Sequence, residues 1–89
     1  MQFLWDEAKR RVNLRKHGLD FVDGQAVFAS ITSTAEDLRF EYQEHRFITL
    51  GLLHGTVVVI AHLEGPERIR VISMRKATRR EQILFYENI

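Results

Sequence analysis

Short runs of hydrophobic and β-branched residues fill the second half of the chain and predict β-strands. The runs cover residues 46–53, 56–64 and 68–76, and each has the length of an ordinary strand. His54-Gly55 and Gly65-Pro66 separate them, and such pairs are typical of tight turns. Because tight turns join antiparallel strands, we expect the three runs to pair as consecutive hairpins.

The last of these runs carries basic residues between apolar ones, so its alternation decides where the charges point. Successive side chains of a regular strand lie on opposite faces of a sheet. A regular strand would place one set, Arg70, Ile72, Met74 and Lys76, on one face and a second set, Ile69, Val71, Ser73 and Arg75, on the other. Arg75 and Lys76 are therefore expected on opposite sides of the sheet.

The N-terminal third of the chain contains the signals of one short strand and two helices. Phe3-Leu4-Trp5 predicts a strand, and Asp6 is a favourable N-cap for a helix that follows it directly. That helix ends at Lys16-His17-Gly18, since cations in the last turn and a glycine beyond it are typical of a helix C-terminus. Asp20 caps a second predicted helix, whose apolar residues are Phe21, Val22, Ala26, Val27 and Phe28.

A closing helix is predicted from Thr78-Arg79-Arg80-Glu81, which has the sequence of a capping box. We expect residues 30–34 to form a loop, whereas the pattern over residues 39–44 fits either a short strand or a continuation of that loop. The predicted order is β-α-α-β-β-β-α. This order indicates an α+β fold in which a small antiparallel sheet packs against helices.

The composition indicates one small globular domain over residues 1–89. The 89 residues are 45% hydrophobic and 28% charged, which is ordinary for a folded domain. The chain contains no cysteine, and this excludes a disulfide scaffold, a thiolate zinc site and a cysteine nucleophile. The longest apolar run, residues 57–61, is too short to cross a bilayer, and the N-terminus lacks the pattern of a signal peptide. We therefore expect a cytoplasmic protein without a membrane segment.

Basic residues are concentrated in two segments, although the net charge is only +1. Residues 9–16 hold five Lys and Arg without an acidic residue, residues 68–80 hold six, and the segment 20–44 between them is mainly acidic. Two basic segments that converge in space would form a face that binds polyanions. Two that do not converge would be ordinary solvated faces of helices or strands.

Two groups of residues, one in each half of the chain, match the pattern of a known protein family. The first group is Trp5-Asp6, Lys9, Asn13, Lys16-His17-Gly18 and Phe21. The second group is Glu44-x-Arg46, Gly51, Arg70-x-Ile72-Ser73-x-Arg75-Lys76-Ala77, Glu81 and Tyr86. In these residues the chain resembles the BrnT toxins over nearly its whole length. Met74 departs from the pattern, in which a small residue is usual at this position.

The resemblance implies a RelE-like fold and the function of a ribonuclease toxin in a type II toxin–antitoxin pair. Such a toxin cleaves RNA and thereby inhibits translation. The resemblance further implies a BrnA-like antitoxin with a ribbon-helix-helix DNA-binding domain. The complex of the two proteins would repress its own operon, so that operator DNA is contacted only through the antitoxin.

Several residues have the chemistry that metal-independent RNA cleavage requires. The reaction needs a base for the 2′-hydroxyl, positive charge at the phosphorane and a proton for the leaving 5′-oxygen. Arg46 and Arg75 are the candidates for charge stabilisation, because a guanidinium stays protonated and forks onto phosphate oxygens. His17 is the first candidate for proton transfer, since the usual pKa of histidine, about 6.5, suits an acid or a base. Glu44, as a base, and Tyr86, as a phosphate-positioning group or proton donor, are weaker candidates.

Candidate RNA-binding residues come from both basic segments: Lys9, Lys16, Arg70, Lys76, Arg79 and Arg80. We expect no cofactor and no metal ligands. The sequence has no recognised metal-binding motif, and the acidic residues 36–44 lie in a segment whose fold the pattern does not decide.

Each candidate catalytic residue also has a purely structural interpretation. His17 would donate to the last carbonyls of its helix, and Arg75 would be a solvated charge at a strand end. Glu44 and Arg46 would form an ion pair on one strand face. Tyr86 would pack in the core or bind the antitoxin.

The other residues singled out by the sequence have simpler interpretations. Trp5 and Phe21 are expected in the core rather than as a platform for stacked bases. His62 is expected as a core or edge residue, and Asn13 as a hydrogen-bonding link between helix and loop.

Two other classes of function fit the same residues. A non-catalytic RNA- or ribosome-binding module would use the basic face for salt-sensitive binding without cleavage. A degenerate toxin would act only as a co-repressor bound to its antitoxin.

Overall fold

A five-stranded sheet forms the centre of the protein in the computed structural model, which describes residues 1–38 and 45–89. The strands are β1 (Gln2–Trp5), β2 (Ser33–Glu36), β3 (Arg46–Leu53), β4 (Thr56–Gly65) and β5 (Arg68–Lys76). The helices are α1 (Glu7–His17), α2 (Gly24–Phe28) and α3 (Arg79–Glu87), with a 3₁₀ helix, Phe21–Asp23, directly before α2. The strands lie in the order β1-β5-β4-β3-β2. The predicted α+β class is confirmed.

The sheet is mixed, because β1 runs parallel to β5. Phe3 lies beside Ile69 and Trp5 beside Val71, whereas the remaining neighbours are antiparallel. The prediction of an antiparallel sheet is therefore confirmed for the two consecutive hairpins of β3, β4 and β5 and wrong for β1. The hydrophobic pattern of a strand does not depend on the direction of its neighbour. The path of the chain between β1 and β5 sets that direction.

A further strand, β2, lies at the outer edge of the sheet. Ser33 pairs with Leu50, and Glu36 pairs with Phe47. The prediction of a loop over residues 30–34 is therefore wrong at its C-terminal end. Most of β2 is exposed, as expected for an edge strand, so its residues do not form the hydrophobic run that identifies a strand. Residues 39–44, for which the sequence fits either a strand or a loop, lie outside the described residues.

The predicted helix ends are confirmed by their hydrogen bonds. The Asp6 carboxylate accepts from the Lys9 N–H at 3.0 Å, and Gly18 ends α1 in the left-handed conformation with φ 70°. Thr78 and Glu81 form both hydrogen bonds of the capping box at the start of α3. Asp20 accepts from a backbone N–H as predicted, but it begins the 3₁₀ helix rather than a single longer helix. No helix in residues 1–38 or 45–89 is long and apolar enough to cross a membrane.

One face of the sheet packs against the 3₁₀ helix and α2 and forms the main core. Its buried residues are Phe21, Val27, Leu53, Val58, Ile60, Val71 and Met74. Trp5, Leu19 and Phe28 pack against this cluster, so Trp5 and Phe21 take part in the core as predicted. We call this side of the sheet the core face.

Two polar side chains, Thr49 and His62, are fully buried on the core face. The Thr49 Oγ1 lies 2.7 Å from the Thr34 Oγ1 and 2.7 Å from the His62 Nε2, so hydrogen bonds connect β2 with β4 through β3. The rings of Phe28 and Phe47 lie against the imidazole at centroid distances of 5.0 Å and 6.0 Å. His62 is thus a core residue, and burial lowers its pKa to about 4.

A β-bulge in β5 changes which of its side chains share a face. Ala61 pairs with Ser73, but the next residue of β4, His62, pairs with Val71. Ile72 is therefore an extra residue that opposes no residue of β4. The alternation of β5 is reversed beyond this point. Met74 consequently joins Val71 in the buried core instead of lying on the opposite face.

The predicted assignment of side chains to the two faces of β5 is wrong beyond Ile72. Arg70 pairs with Leu63, and Arg75 pairs with Val59. Leu63 and Val59 are four residues apart on β4 and lie on the same face, and cross-strand partners share a face. Arg70 and Arg75 therefore lie on the same side of the sheet. Lys76, which pairs with Val58, lies on the core face, so the expected opposition of Arg75 and Lys76 is confirmed.

Candidate active site

Four strand arginines of the described residues lie on the side of the sheet opposite the core face, namely Arg46 of β3 and Arg68, Arg70 and Arg75 of β5. Arg46 of β3 pairs with Leu63 of β4, which in turn pairs with Arg70 of β5. Since neighbouring strands are about 4.8 Å apart, the backbones of Arg46 and Arg70 are about 10 Å apart. Arg75 lies on the same side farther along β5. We call the side that carries Arg46, Arg70 and Arg75 the arginine face.

A groove of about 350 Å³ separates α1 from the bulged part of β5. Its walls combine apolar and lysine side chains with one imidazole, one hydroxyl and one amide, namely Ala8, Lys9, Val12, Asn13, Lys16, His17, Ile72 and Ser73. Three predicted site residues, Lys9, Lys16 and His17, are thus brought together. The hydrogen bond that closes the end of α1 comes from the Gly18 N–H to the Leu14 carbonyl at 2.9 Å, not from the histidine ring.

The groove adjoins the arginine face. Ser73 pairs with Ala61 and Arg75 with Val59, two residues apart on each strand, so both lie on the arginine face. Their backbones are about 7 Å apart along β5. The groove therefore lies between α1, which carries His17, and β5, which carries Arg75, while the Arg75 side chain lines a separate depression.

The Arg75 guanidinium is fixed by the Glu81 carboxylate. Its two terminal nitrogens donate to the two carboxylate oxygens at 2.7 Å and 2.9 Å, which is the bidentate geometry of a strong charged pair. The pair lies in a second depression that also contains Ile48 and Asp37. The hydrogen bonds from Arg75 lower the pKa of Glu81 to about 2. The interpretation of Arg75 as a merely solvated strand-end charge is therefore wrong.

Ion pairs within the protein reduce the positive charge of the first basic segment. Arg10 donates to Asp20 at 2.8 Å and 3.0 Å and also to Glu7. Arg11 lies 3.7 Å from the same Glu7 carboxylate. The hydrogen bonds from Arg10 lower the pKa of Asp20. Lys9 and Lys16, which line the groove, and Arg15 therefore supply most of the remaining positive charge of α1.

The remaining predicted residues do not line the groove. Lys76 is exposed at the end of β5 on the core face, and Arg79 and Arg80 are exposed in the first turn of α3. Tyr86 is 55% exposed, so the interpretation of Tyr86 as a core residue is wrong. Glu44, and with it the predicted ion pair to Arg46, lies outside the described residues.

Sequence reasoning missed three contributions to the site. Glu81 was expected as part of the capping box and of the family pattern, but not as the partner of Arg75. Ser73 and Ile72 form the β5 wall of the groove because of the bulge. Asn13 links α1 to the following loop, as predicted, and additionally binds the backbone of β5. The contact between Arg75 and Glu81 could have been found from their spacing, because they are six residues apart and the predicted N-cap of α3 lies between them.

The comparisons with known proteins identify a family. The family model described as the ribonuclease toxin BrnT of a type II toxin–antitoxin system matches residues 5–81, which is most of the chain. The matched range includes α1, the whole sheet except the first residues of β1, and the start of α3. A search among curated proteins returned no match. Among the described residues, no group of three or more His, Asp or Glu is arranged to hold a metal ion.

Proposed function

Because this chain belongs to the BrnT family of ribonuclease toxins of type II toxin–antitoxin systems, we propose that it cleaves RNA without a metal ion, in the groove between α1 and β5. The observation that carries the proposal is the bulge in β5. It puts Arg70 and Arg75 on the same face as Arg46, next to a groove that contains Lys16 and His17. The basic residues of α1 that line the groove thus face β5, the strand that carries Arg70 and Arg75.

In the proposed reaction His17 removes the proton from the 2′-hydroxyl of the substrate. The 2′-oxygen then forms a bond to the adjacent phosphorus, and the bond from phosphorus to the 5′-oxygen breaks. The leaving 5′-oxygen takes up a proton from solvent. The products are an RNA with a 2′,3′-cyclic phosphate and an RNA with a 5′-hydroxyl. Glu44 and Tyr86 are the alternative residues for proton transfer, and His17 is favoured because it lines the groove.

Arg46 and Arg75 would stabilise the negative charge that develops on the phosphate oxygens. Glu81 holds the plane of the Arg75 guanidinium, so the arginine needs little reorganisation when a phosphate approaches. Lys9, Lys16 and Arg70 would bind flanking phosphates, and we assign a weaker, peripheral contribution to Lys76, Arg79 and Arg80. This division follows from the groove lining and from the face on which each residue lies.

The biological setting follows from the family. We propose that the substrate is messenger RNA in the cytoplasm and that its cleavage inhibits translation. The toxin would be neutralised by a BrnA-like ribbon-helix-helix antitoxin, and the complex would repress its own operon. Residues 1–89 would act as one toxin domain. A partner that covers the arginine face and the groove would block RNA binding, which is the simplest way to neutralise such an enzyme.

The test is cleavage of a labelled RNA by the purified protein in the presence of EDTA, without ribosomes and with translating ribosomes. We expect chelator-resistant cleavage that is lost in His17→Asn. His54→Asn is the matched control, because His54 is exposed in the turn between β3 and β4 with φ 50°, a conformation that asparagine adopts readily. The products should carry cyclic phosphates.

Three outcomes would contradict the proposal in different ways. Loss of activity with EDTA and recovery with Mg²⁺ would contradict the metal-independent mechanism. Salt-sensitive RNA binding without cleavage under either condition would favour the binding-module alternative. Full activity of His17→Asn would show that another residue, with Glu44 and Tyr86 the first to test, transfers the proton.

A further inference from the structure

The Asn13 side chain binds the backbone of β5 at the point where its neighbouring strand has ended. β1 stops at Trp5, which pairs with Val71, and in the described parts of the chain no strand lies beside this edge of β5 beyond the bulge. There the Asn13 amide nitrogen donates to the Met74 carbonyl at 2.8 Å, and the Met74 N–H donates to the Asn13 Oδ1 at 3.1 Å. One side chain thus makes the two hydrogen bonds that a paired strand would make.

The same amide also binds the loop that follows α1. Its nitrogen donates to the Leu19 carbonyl at 3.1 Å, two residues after His17. Asn13 is only 7% exposed, so these three hydrogen bonds form in a site from which water is largely excluded. The bonds therefore connect both walls of the groove: α1 with His17 on one side, and Met74, between Ser73 and Arg75, on the other.

We propose that Asn13 is a positioning residue for the ribonuclease reaction, which sets the separation of α1, the helix of His17, from β5, the strand of Arg75. This inference rests on the proposed function. Asn13 lines the inner wall of the groove but is assigned no role in proton transfer or charge stabilisation. Its effect on the reaction is exerted through the placement of His17 relative to β5, so it requires His17.

Only an asparagine has both the groups and the length for this arrangement. Aspartate retains an acceptor for the Met74 N–H but has no donor for the carbonyls of Met74 and Leu19, and it would bury a charge. Alanine leaves all three backbone groups without their partner. Glutamine has the same donors and acceptor on a side chain one methylene longer. We therefore expect Asn13→Gln to preserve hydrogen bonding while it moves α1 away from β5.

The experiment compares kcat and KM of wild type and Asn13→Gln for the same RNA, under conditions in which circular dichroism shows both to be folded. We expect kcat to fall about 10- to 100-fold, because small misplacements of reacting groups cost that much, while KM changes less than about 3-fold. Gly51→Ala is the control for lost stability. Its added methyl group would meet Val27 on the core face, remote from the groove lining, and it should retain the wild-type kcat when folded.

The double variant Asn13→Gln/His17→Asn separates positioning from a purely structural effect. If Asn13 acts through His17, the double variant loses no more activity than His17→Asn alone. If the fold-losses of activity in Asn13→Gln and His17→Asn multiply in the double variant, the two residues act independently and the inference is overturned. A full kcat in Asn13→Gln, measured beside an active wild type, would also overturn it. A wild-type protein that cleaves RNA neither alone nor with ribosomes would overturn the proposed function and this inference together.

Discussion

Arg75 at the end of β5 and Glu81 in the first turn of α3 form a bidentate ion pair. Glu81 also accepts a hydrogen bond from the Thr78 N–H, so a single carboxylate both caps α3 and orients the arginine. The start of the last helix and the geometry of a proposed active-site arginine are therefore coupled.

Replacement of Glu81 by glutamine should lower the free energy of unfolding by about 1 kcal/mol. Glutamine can retain the hydrogen bonds of the capping box but loses the charged pair with Arg75. The expected loss is modest because the Arg75 side chain is 38% exposed and solvent screens the pair. In a domain of this size the melting temperature should fall by about 5 °C. Glu87→Gln, at the exposed end of the same helix, should leave it unchanged.

The contribution of Glu81 should disappear in acid. Its pKa is lowered from 4.5 to about 2 in the folded protein, mainly by the hydrogen bonds from Arg75. The unfolded chain therefore takes up a proton at a higher pH than the folded protein. The stabilisation is fully present above about pH 4.5 and is lost as the pH falls towards 2. Denaturation curves of wild type and Glu81→Gln should differ at pH 7 and converge near pH 2.

The buried His62 should make the protein less stable below neutral pH. Its pKa is lowered by burial from 6.5 to about 4, so the unfolded chain takes up a proton first. Above about pH 6.5 this histidine should not reduce the free energy of unfolding. Below that pH, the free energy of unfolding should fall by up to about 1.4 kcal/mol per pH unit as the pH approaches 4. His62→Gln should reduce this slope in urea denaturation at pH 7, 6 and 5. His54→Asn, in the exposed turn between β3 and β4, serves as the control.

Two glycines on the core side should respond oppositely to alanine. A Cβ at Gly51 would lie 2.7 Å from the Val27 Cγ1 and 3.3 Å from the Val27 carbonyl oxygen, so Gly51→Ala should destabilise the protein by about 1–3 kcal/mol. A Cβ at Gly24 would lie 3.6 Å from the Val71 Cγ2, an ordinary contact, and this residue is helical. Gly24→Ala should therefore be neutral or stabilising by up to about 1 kcal/mol. The melting temperatures of the two variants, measured by thermal denaturation, test this difference. Equal changes in melting temperature would contradict the close packing of β3 against Val27.

Adjacent basic residues on α1 should differ in their contribution to RNA binding. Lys16 lines the groove, whereas Arg15 is exposed and is not part of the groove lining. Lys16→Ala should weaken RNA binding and lower the slope of log K against log salt by about 0.7, the value for one phosphate of a single strand. Arg15→Ala should change the slope little. Equal slopes for the two variants would place the RNA elsewhere on the protein.

Local signals in the sequence were sufficient to predict most of the helices and strands. β3 and β5 have their predicted bounds, and β4 extends one residue beyond its prediction. The N-cap at Asp6, the left-handed Gly18 and the Thr78–Glu81 capping box depend on residues within four positions of each other. Interactions of such short range are encoded directly in the residue order, and the family pattern is read from the same positions.

Tertiary pairing decided the features that the pattern could not contain. The direction of β1 and the presence of the polar edge strand β2 depend on neighbouring strands that are distant in the chain. For the proposed site, the sequence suggested Lys16, His17 and Arg75 as candidates, but it did not predict that Glu81 holds the arginine or that Asn13 binds β5. These contacts join residues whose separation in space is independent of their separation in sequence.

The sequence by itself determined which residues are candidates for the chemistry of this protein, namely the basic residues of α1 and β5 and the histidine at the end of α1, and it excluded cysteine chemistry. Only the tertiary structure decided on which face those residues lie. A bulge exists only with respect to a neighbouring strand, and β4 opposes β5 in a register that leaves Ile72 as an extra residue. That one residue reverses the alternation of β5, which buries Met74 in the core and turns Arg75 to the side of Arg70 and Arg46.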